Sequence, residues 1–181
     1  MNNPSEPVAP QFAWYQAGSW TTLEQGDLLP DCPALIPSAD LSALLSGTPE
    51  GGEIEASTEI QFADQIVLSQ SCDLTNDKIQ QVLLCAYHPA SSYSKDNRTK
   101  IRKEQRPALH MIEGCELPGH AFPQQVIDFR TIYTLPKEFI IAFARAKNSR
   151  VRLLPPYREH LSQAFARYFM RVGLPRPLKD E

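Results

Sequence analysis

Every lysine and arginine of this 181-residue chain lies beyond position 77, and the segment before that point carries twelve acids. Residues 78–136 hold eight bases and five acids, and residues 137–181 hold ten and four, so a net charge of −3 conceals an acidic front and a basic back. A compact fold built from such a chain either pairs the two parts internally or turns the basic part towards a negative partner such as nucleic acid. An apolar fraction of 42% with eight Phe is enough for one buried core. No apolar run approaches the roughly 18 residues that span a bilayer, so no membrane contact is expected. The amino terminus has neither the basic start nor the apolar stretch of a secretory signal, and a cytoplasmic protein with reduced thiols is the reading.

Hydropathy periods set the expected elements. Residues 53–62 alternate strictly, with Ile54, Ala56, Thr58, Ile60 and Phe62 against Glu53, Glu55, Ser57, Glu59 and Gln61. That pattern predicts a half-exposed strand with an acidic outer face. Further strands are expected at 27–29, ended by Pro30 and Pro33, and at 65–70, 79–87, 109–112, 125–133 and 151–154. Brief helices are expected at 38–45 and 137–147. The stretch 89–106 reads as a long polar loop or a loosely held helix. Pro155-Pro156 opens a final helix whose apolar face is Leu161, Ala164, Phe165, Tyr168, Phe169 and Val172, with Gly173 as its stop. Phe12, Trp14, Tyr15 and Trp20 supply aromatic bulk that should dock on the core. A strand-rich front and helical end without βαβ alternation predict an α+β fold, a small barrel with appended helices. One domain over residues 12–175 is expected between tails at 1–11 and 176–181.

Several residue groups carry possible chemistry. Ser71-Cys72-Asp73 follows a buried strand, but a carboxylate beside a thiol disfavours its thiolate, and an Asp in such a turn commonly bonds backbone N–H groups. Cys72 is therefore read as a turn residue, a metal ligand with Asp73 and a histidine, or a nucleophile helped by His88 or His110. Cys32, Cys85, Cys115 and His120 complete the possible zinc donors, yet the spacings fit no finger pattern, so no metal is assigned and no cofactor is called for. Cys85, in an apolar strand, reads as core. Lys95, Arg98, Lys100, Arg102, Lys103 and Arg106 form the densest basic cluster, suited to phosphate by charge and counterion release. Arg158 and His160 on the first turn of the last helix, and Arg167 on its polar face, extend it. Arg130 can pair with Asp128 two residues away or contact a phosphate.

Gly26-Asp27-Leu28, the strand Ile66-Val67-Leu68-Ser69, and above all Val126-Ile127-Asp128-Phe129-Arg130-Thr131-Ile132-Tyr133 resemble the MazF/PemK toxin family. Arg152-Leu153-Leu154 and Arg171-Val172-Gly173-Leu174 extend the likeness, which spans roughly residues 25–35, 60–90 and 124–175. The resemblance implies a small SH3-like β-barrel, a homodimer, a toxin–antitoxin or defence setting, and cleavage of single-stranded RNA. In that family an arginine steadies the pentacoordinate phosphate and an Asp three residues on takes the 2′-hydroxyl proton. Arg130 stands at the arginine position and Tyr133 at the Asp position, where a phenol of pKa near 10 is a poor base. The expectation is a nucleic-acid- or protein-binding component without the family's full catalytic set. Two alternatives are an endoribonuclease using Arg130 with Asp128, His110 or His160, and a Cys72-centred hydrolase or metal protein. A looser resemblance runs along the whole chain to uncharacterised bacterial proteins with a Ser-Gln-Ser-Cys-Asp-Leu motif, here Ser69 to Leu74.

Overall fold

The computed structural model describes residues 12–37 and 58–170. In chain order its elements are β1 (Tyr15–Gly18), β2 (Leu28–Pro37), β3 (Thr58–Val67), α1 (Ser71–Thr75), β4 (Gln81–Pro89), α2 (Lys95–Arg102), β5 (Leu109–Ile112), β6 (Gln125–Pro136), α3 (Lys137–Ala146), β7 (Arg150–Leu153) and α4 (Tyr157–Phe169). The fold is α+β. An antiparallel five-stranded sheet runs in the order β2-β3-β4-β6-β5, and β1 pairs with β7 in a separate ribbon. The expected helix at 38–45, the stop at Gly173 and the glutamates Glu53 and Glu55 lie outside the described residues.

Adjacent residues of the central strands point to opposite faces, and each face has its own core. Leu28, Ile66, Cys85 and Ile127 join Phe129, Leu153 and Leu161 on one side, beneath α4 and the ribbon. Leu29, Val67 and Leu84 join Leu135 and Ile140 on the other, beneath α3. Burial on both faces explains why these strands read as unbroken apolar runs. Gly26 ties the ribbon to the sheet: its N–H bonds Val67 and its carbonyl accepts from Leu153, each at 2.9 Å. Its φ of 85°, and a Cβ that would stand 2.9 Å from that of Leu153, both require glycine there.

Three expectations change. Pro30 and Pro33 do not end β2, because β2 is an edge strand and a missing N–H costs little there; the register instead shifts between Leu29 and Cys32, with Asp31 at φ 52°. The strands expected at 53–62 and 65–70 are continuous in β3, which meets β4 only at Gln65–Val67. Beyond that overlap β3 pairs with β2 alone, so Ile60 and Phe62, expected to face inward, are 59% and 69% exposed. Phe169, expected on the apolar face of α4, and Phe12 are likewise exposed.

The segregated charges meet in the interior. Asp27 is wholly buried, accepting from Arg150 Nε at 2.9 Å and from both Nε and Nη2 of Arg152. Glu24 accepts from Arg152 and Arg158. Trp20 docks on these guanidiniums, with its ring centroid 4.3 Å from that of Arg152. Arg150 also donates to the carbonyls of Trp20 and Thr22. Glu24 and Asp27 of the acidic front, with Arg150, Arg152 and Arg158 of the basic back, thus clamp residues 20–28 onto β7 and α4.

Candidate nucleic-acid interface

Strand β6 bends where Asp128 to Thr131 stand opposite Ala86 alone, and its residues before the bend, Gln125 to Ile127, pair with β4 on one side and β5 on the other. Bulges of this kind re-aim side chains at the rim of a sheet. Arg130 projects from the bend with its side chain 59% exposed, held by a two-pronged ion pair to Asp128 at 2.8 and 2.7 Å. Burial alone would raise the Asp128 pKa, but hydrogen bonds from the Arg130 side chain and backbone outweigh it and hold the carboxyl below its ordinary value.

From Arg130 a groove runs along edge strand β5, between α2 and α4. It consists of three adjoining depressions of about 400, 250 and 270 Å³. Tyr93, Arg106 and Arg130 line the first; Arg106, His110 and Arg167 line the second; Arg102, His110, His160 and Trp14 line the third. Helix α2 forms from the stretch read as loop or loose helix because Ser94 caps Asn97 N–H and Ile101 is buried against Val126. Trp14 stacks flat on Tyr157, centroids 3.5 Å apart.

Weak partners hold the groove's cations. Arg167 pairs with Glu104 at 3.1 Å with both side chains more than half exposed. Lys100 pairs with Asp96, Arg102 donates to Gln124, Arg106 to Asn97 and Arg98 to the Tyr93 carbonyl. Exposed pairs contribute only about 0–1 kcal/mol and exchange readily for phosphate. His110 is different. Burial pushes its pKa down to about 4, Glu104 opposing and His160 and Arg167 reinforcing the shift, so its imidazole is neutral at pH 7.

Of the residues singled out from the sequence, Arg102, Arg106, Arg130, His160 and Arg167 meet on this groove, with Lys95, Arg98, Lys100 and Lys103 on or just after α2 at its flank. Arg158 does not; its guanidinium turns to Glu24 and Glu159. Cys72 and Asp73 sit on α1, absent from these three depressions. The Cys72 thiol is exposed, with Gln70 and Asp73 side-chain oxygens at 3.6 and 3.7 Å, and Asp73 faces Lys78. Cys32, Cys85 and Cys115 are buried and unpaired; Cys85 donates to the Asp128 carbonyl. Among the described residues no cluster of three His, Cys, Asp or Glu is set to hold a metal. Tyr133 packs with Ile79 and Ile141 against the second core, and burial raises its pKa further.

Tyr93 was visible as the one aromatic interleaving the basic cluster, but the sequence reading missed the part played by Trp14 and Tyr157 in lining the groove. The Trp14 segment and Tyr157 were visible as aromatic, but their meeting depends on β1 pairing with β7. No protein-family model matches this chain and no curated protein is significantly similar to it.

Proposed function

We propose that this chain is a nucleic-acid-binding component that holds single-stranded RNA along the β5 groove, on a MazF/PemK-like barrel without the family's carboxylate base. The observation that carries this reading is the row of four arginines, Arg130, Arg106, Arg167 and Arg102, along one groove that also contains Tyr93 and the Trp14–Tyr157 stack. Guanidiniums engage phosphates through forked donors, and aromatic faces accept bases whatever their sequence. The barrel reading draws support from the Gly26–Asp27 strap, whose bonds to Val67 and Leu153 join ribbon and sheet. The homodimer and the toxin–antitoxin or defence setting belong to the same proposal.

A second reading, metal-independent RNA cleavage, is favoured by one observation: the neutral His110 imidazole lies in the same groove as Arg167 and His160. A neutral imidazole has a lone pair to accept a proton, but one that titrates near 4 is a weak base at pH 7.

One experiment addresses both. Labelled single-stranded RNA is titrated with the wild type, Arg106→Ala and Arg130→Ala, and the RNA is then run on a gel with and without chelator. Each substitution is expected to weaken binding several-fold, with intact RNA recovered. Unchanged affinity in both variants refutes the groove. Cleavage that survives chelator and is lost in Arg130→Ala establishes the second reading instead.

A further inference from the structure

The alternating stretch of β3 has no part in the groove, and it stands at an unpaired sheet edge. From Thr58 to Ala63 the strand pairs with β2 alone, because its pairing with β4 is confined to Gln65–Val67. Ile60 and Phe62 are exposed there, as is Leu35, which stands opposite Ile60 on β2. The half-buried Pro33 stands opposite Phe62, so these four side chains form one apolar patch on one face of the β2–β3 arm. Glu59 and Gln61 are exposed on its other face.

The main chain of this edge is open as well. Val67 donates its N–H to the Asp27 carbonyl, and its own carbonyl accepts from Gly26, so its polar groups face the β2 side. The register shift places its extra residue in β2, between Leu29 and Cys32, and leaves the alternation along β3 unbroken. Ala63, Gln61 and Glu59 therefore face β2 as Val67 does, while Phe62 and Ile60 aim N–H and C=O the other way. Pro33 agrees with this assignment: it has no N–H to give and stands opposite Phe62, where the pair is not hydrogen-bonded. An open edge of this kind is a template for a further strand, and the outer edge of β2, interrupted by Pro30 and Pro33, is a poorer one.

We propose that the β3 edge takes up an extended segment of a partner protein as an added antiparallel strand, one that alternates apolar residues with lysine or arginine. The alternation follows from the arm. Partner residues that bond to the main chain of Ile60 and Phe62 lie on the face of those side chains and are apolar to cover the patch, and the residues between them lie beside Glu59 and Gln61. Charge sets the sign. Asp64 accepts from the Asp31 N–H and Glu59 from the Gln61 amide, both neutral donors, and no lysine or arginine precedes residue 78 to answer these acids. A second copy would bring the same acidic arm and no base, whereas a basic strand neutralises it. The proposal is independent of RNA binding in the β5 groove.

The test is an NMR titration of the full chain with a synthetic peptide of alternating valine and lysine. Binding is expected, with amide hydrogen exchange slowed most at Ile60 and Phe62. Methylating the valine nitrogens removes the donors that face β3 and keeps the charge, so it should weaken binding at least about tenfold. Ile60→Thr and Phe62→Thr, at exposed sites where the fold survives, should each weaken it a few-fold, and Arg106→Ala should leave it unchanged, which separates this edge from the groove. Binding that survives N-methylation is charge attraction alone and overturns the added strand. Equal binding of a valine–glutamate peptide overturns the basic partner, and no change at Ile60 or Phe62 with millimolar peptide overturns the site. Sedimentation as a dimer that Phe62→Thr converts to monomer makes a second copy the occupant and overturns the proposal as well.

Discussion

The two arginine-rich regions of the molecule use the same side chain to opposite ends. Around Asp27, Arg150 and Arg152 are 2% and 8% exposed at the side chain, with a shared buried carboxylate, backbone carbonyls and an indole face as partners. Along β5, Arg130 and Arg167 are 59% and 55% exposed and each holds a single carboxylate, the buried Asp128 and the exposed Glu104. Desolvated charges must be paired, so the first set is committed to the fold. Hydrated charges exchange partners at little cost, so Arg167 is free to meet a ligand, while Arg130 stays paired with the buried Asp128 and offers its solvent-facing side.

The sharpest way to break this contrast is at Asp27. Asp27→Ala strands two buried guanidiniums and should cost about 3–5 kcal/mol in urea unfolding; a loss under about 1 kcal/mol would erase the distinction between the regions. Next in size is a pH effect confined to the groove. His110 titrates near 4 when folded against 6.5 when unfolded, so the unfolded chain binds the extra proton. Stability is therefore full above pH 6.5 and falls as pH drops towards 4, by up to about 3 kcal/mol. His110→Gln should flatten that part of the profile, and an unchanged slope would refute the assignment. Smaller again is Arg130→Ala, which leaves the Asp128 carboxylate with only the backbone N–H of residue 130; a loss of about 1–3 kcal/mol is expected. Smallest is Arg167→Ala, which should shift stability by less than about 1 kcal/mol while weakening RNA binding several-fold.

Period and punctuation made β5, α3, β7 and the course of α4 readable from sequence, because each depends on local pattern. The acidic front and basic back likewise announced internal pairing as one of two outcomes, and Asp27 with Arg150 and Arg152 realises it. What failed was where burial depends on a distant partner. Ile60 and Phe62 alternate as a buried face should, but the pairing of β3 with β4 ends at Gln65. Arg158 looked like its neighbour His160, yet Glu24, 134 residues away in sequence, claims it. The arginines of the groove were visible as charge; that they share a face with His110 follows from the bend in β6.

The salt dependence of single-stranded RNA binding tests the central claim most directly. Three or more phosphates held by the groove arginines predict that log affinity falls against log salt with a slope of about −2 or steeper, and that Arg167→Ala makes it shallower by about 0.7. A flat slope, or a slope unchanged by Arg167→Ala, Arg106→Ala and Arg130→Ala alike, would contradict the account.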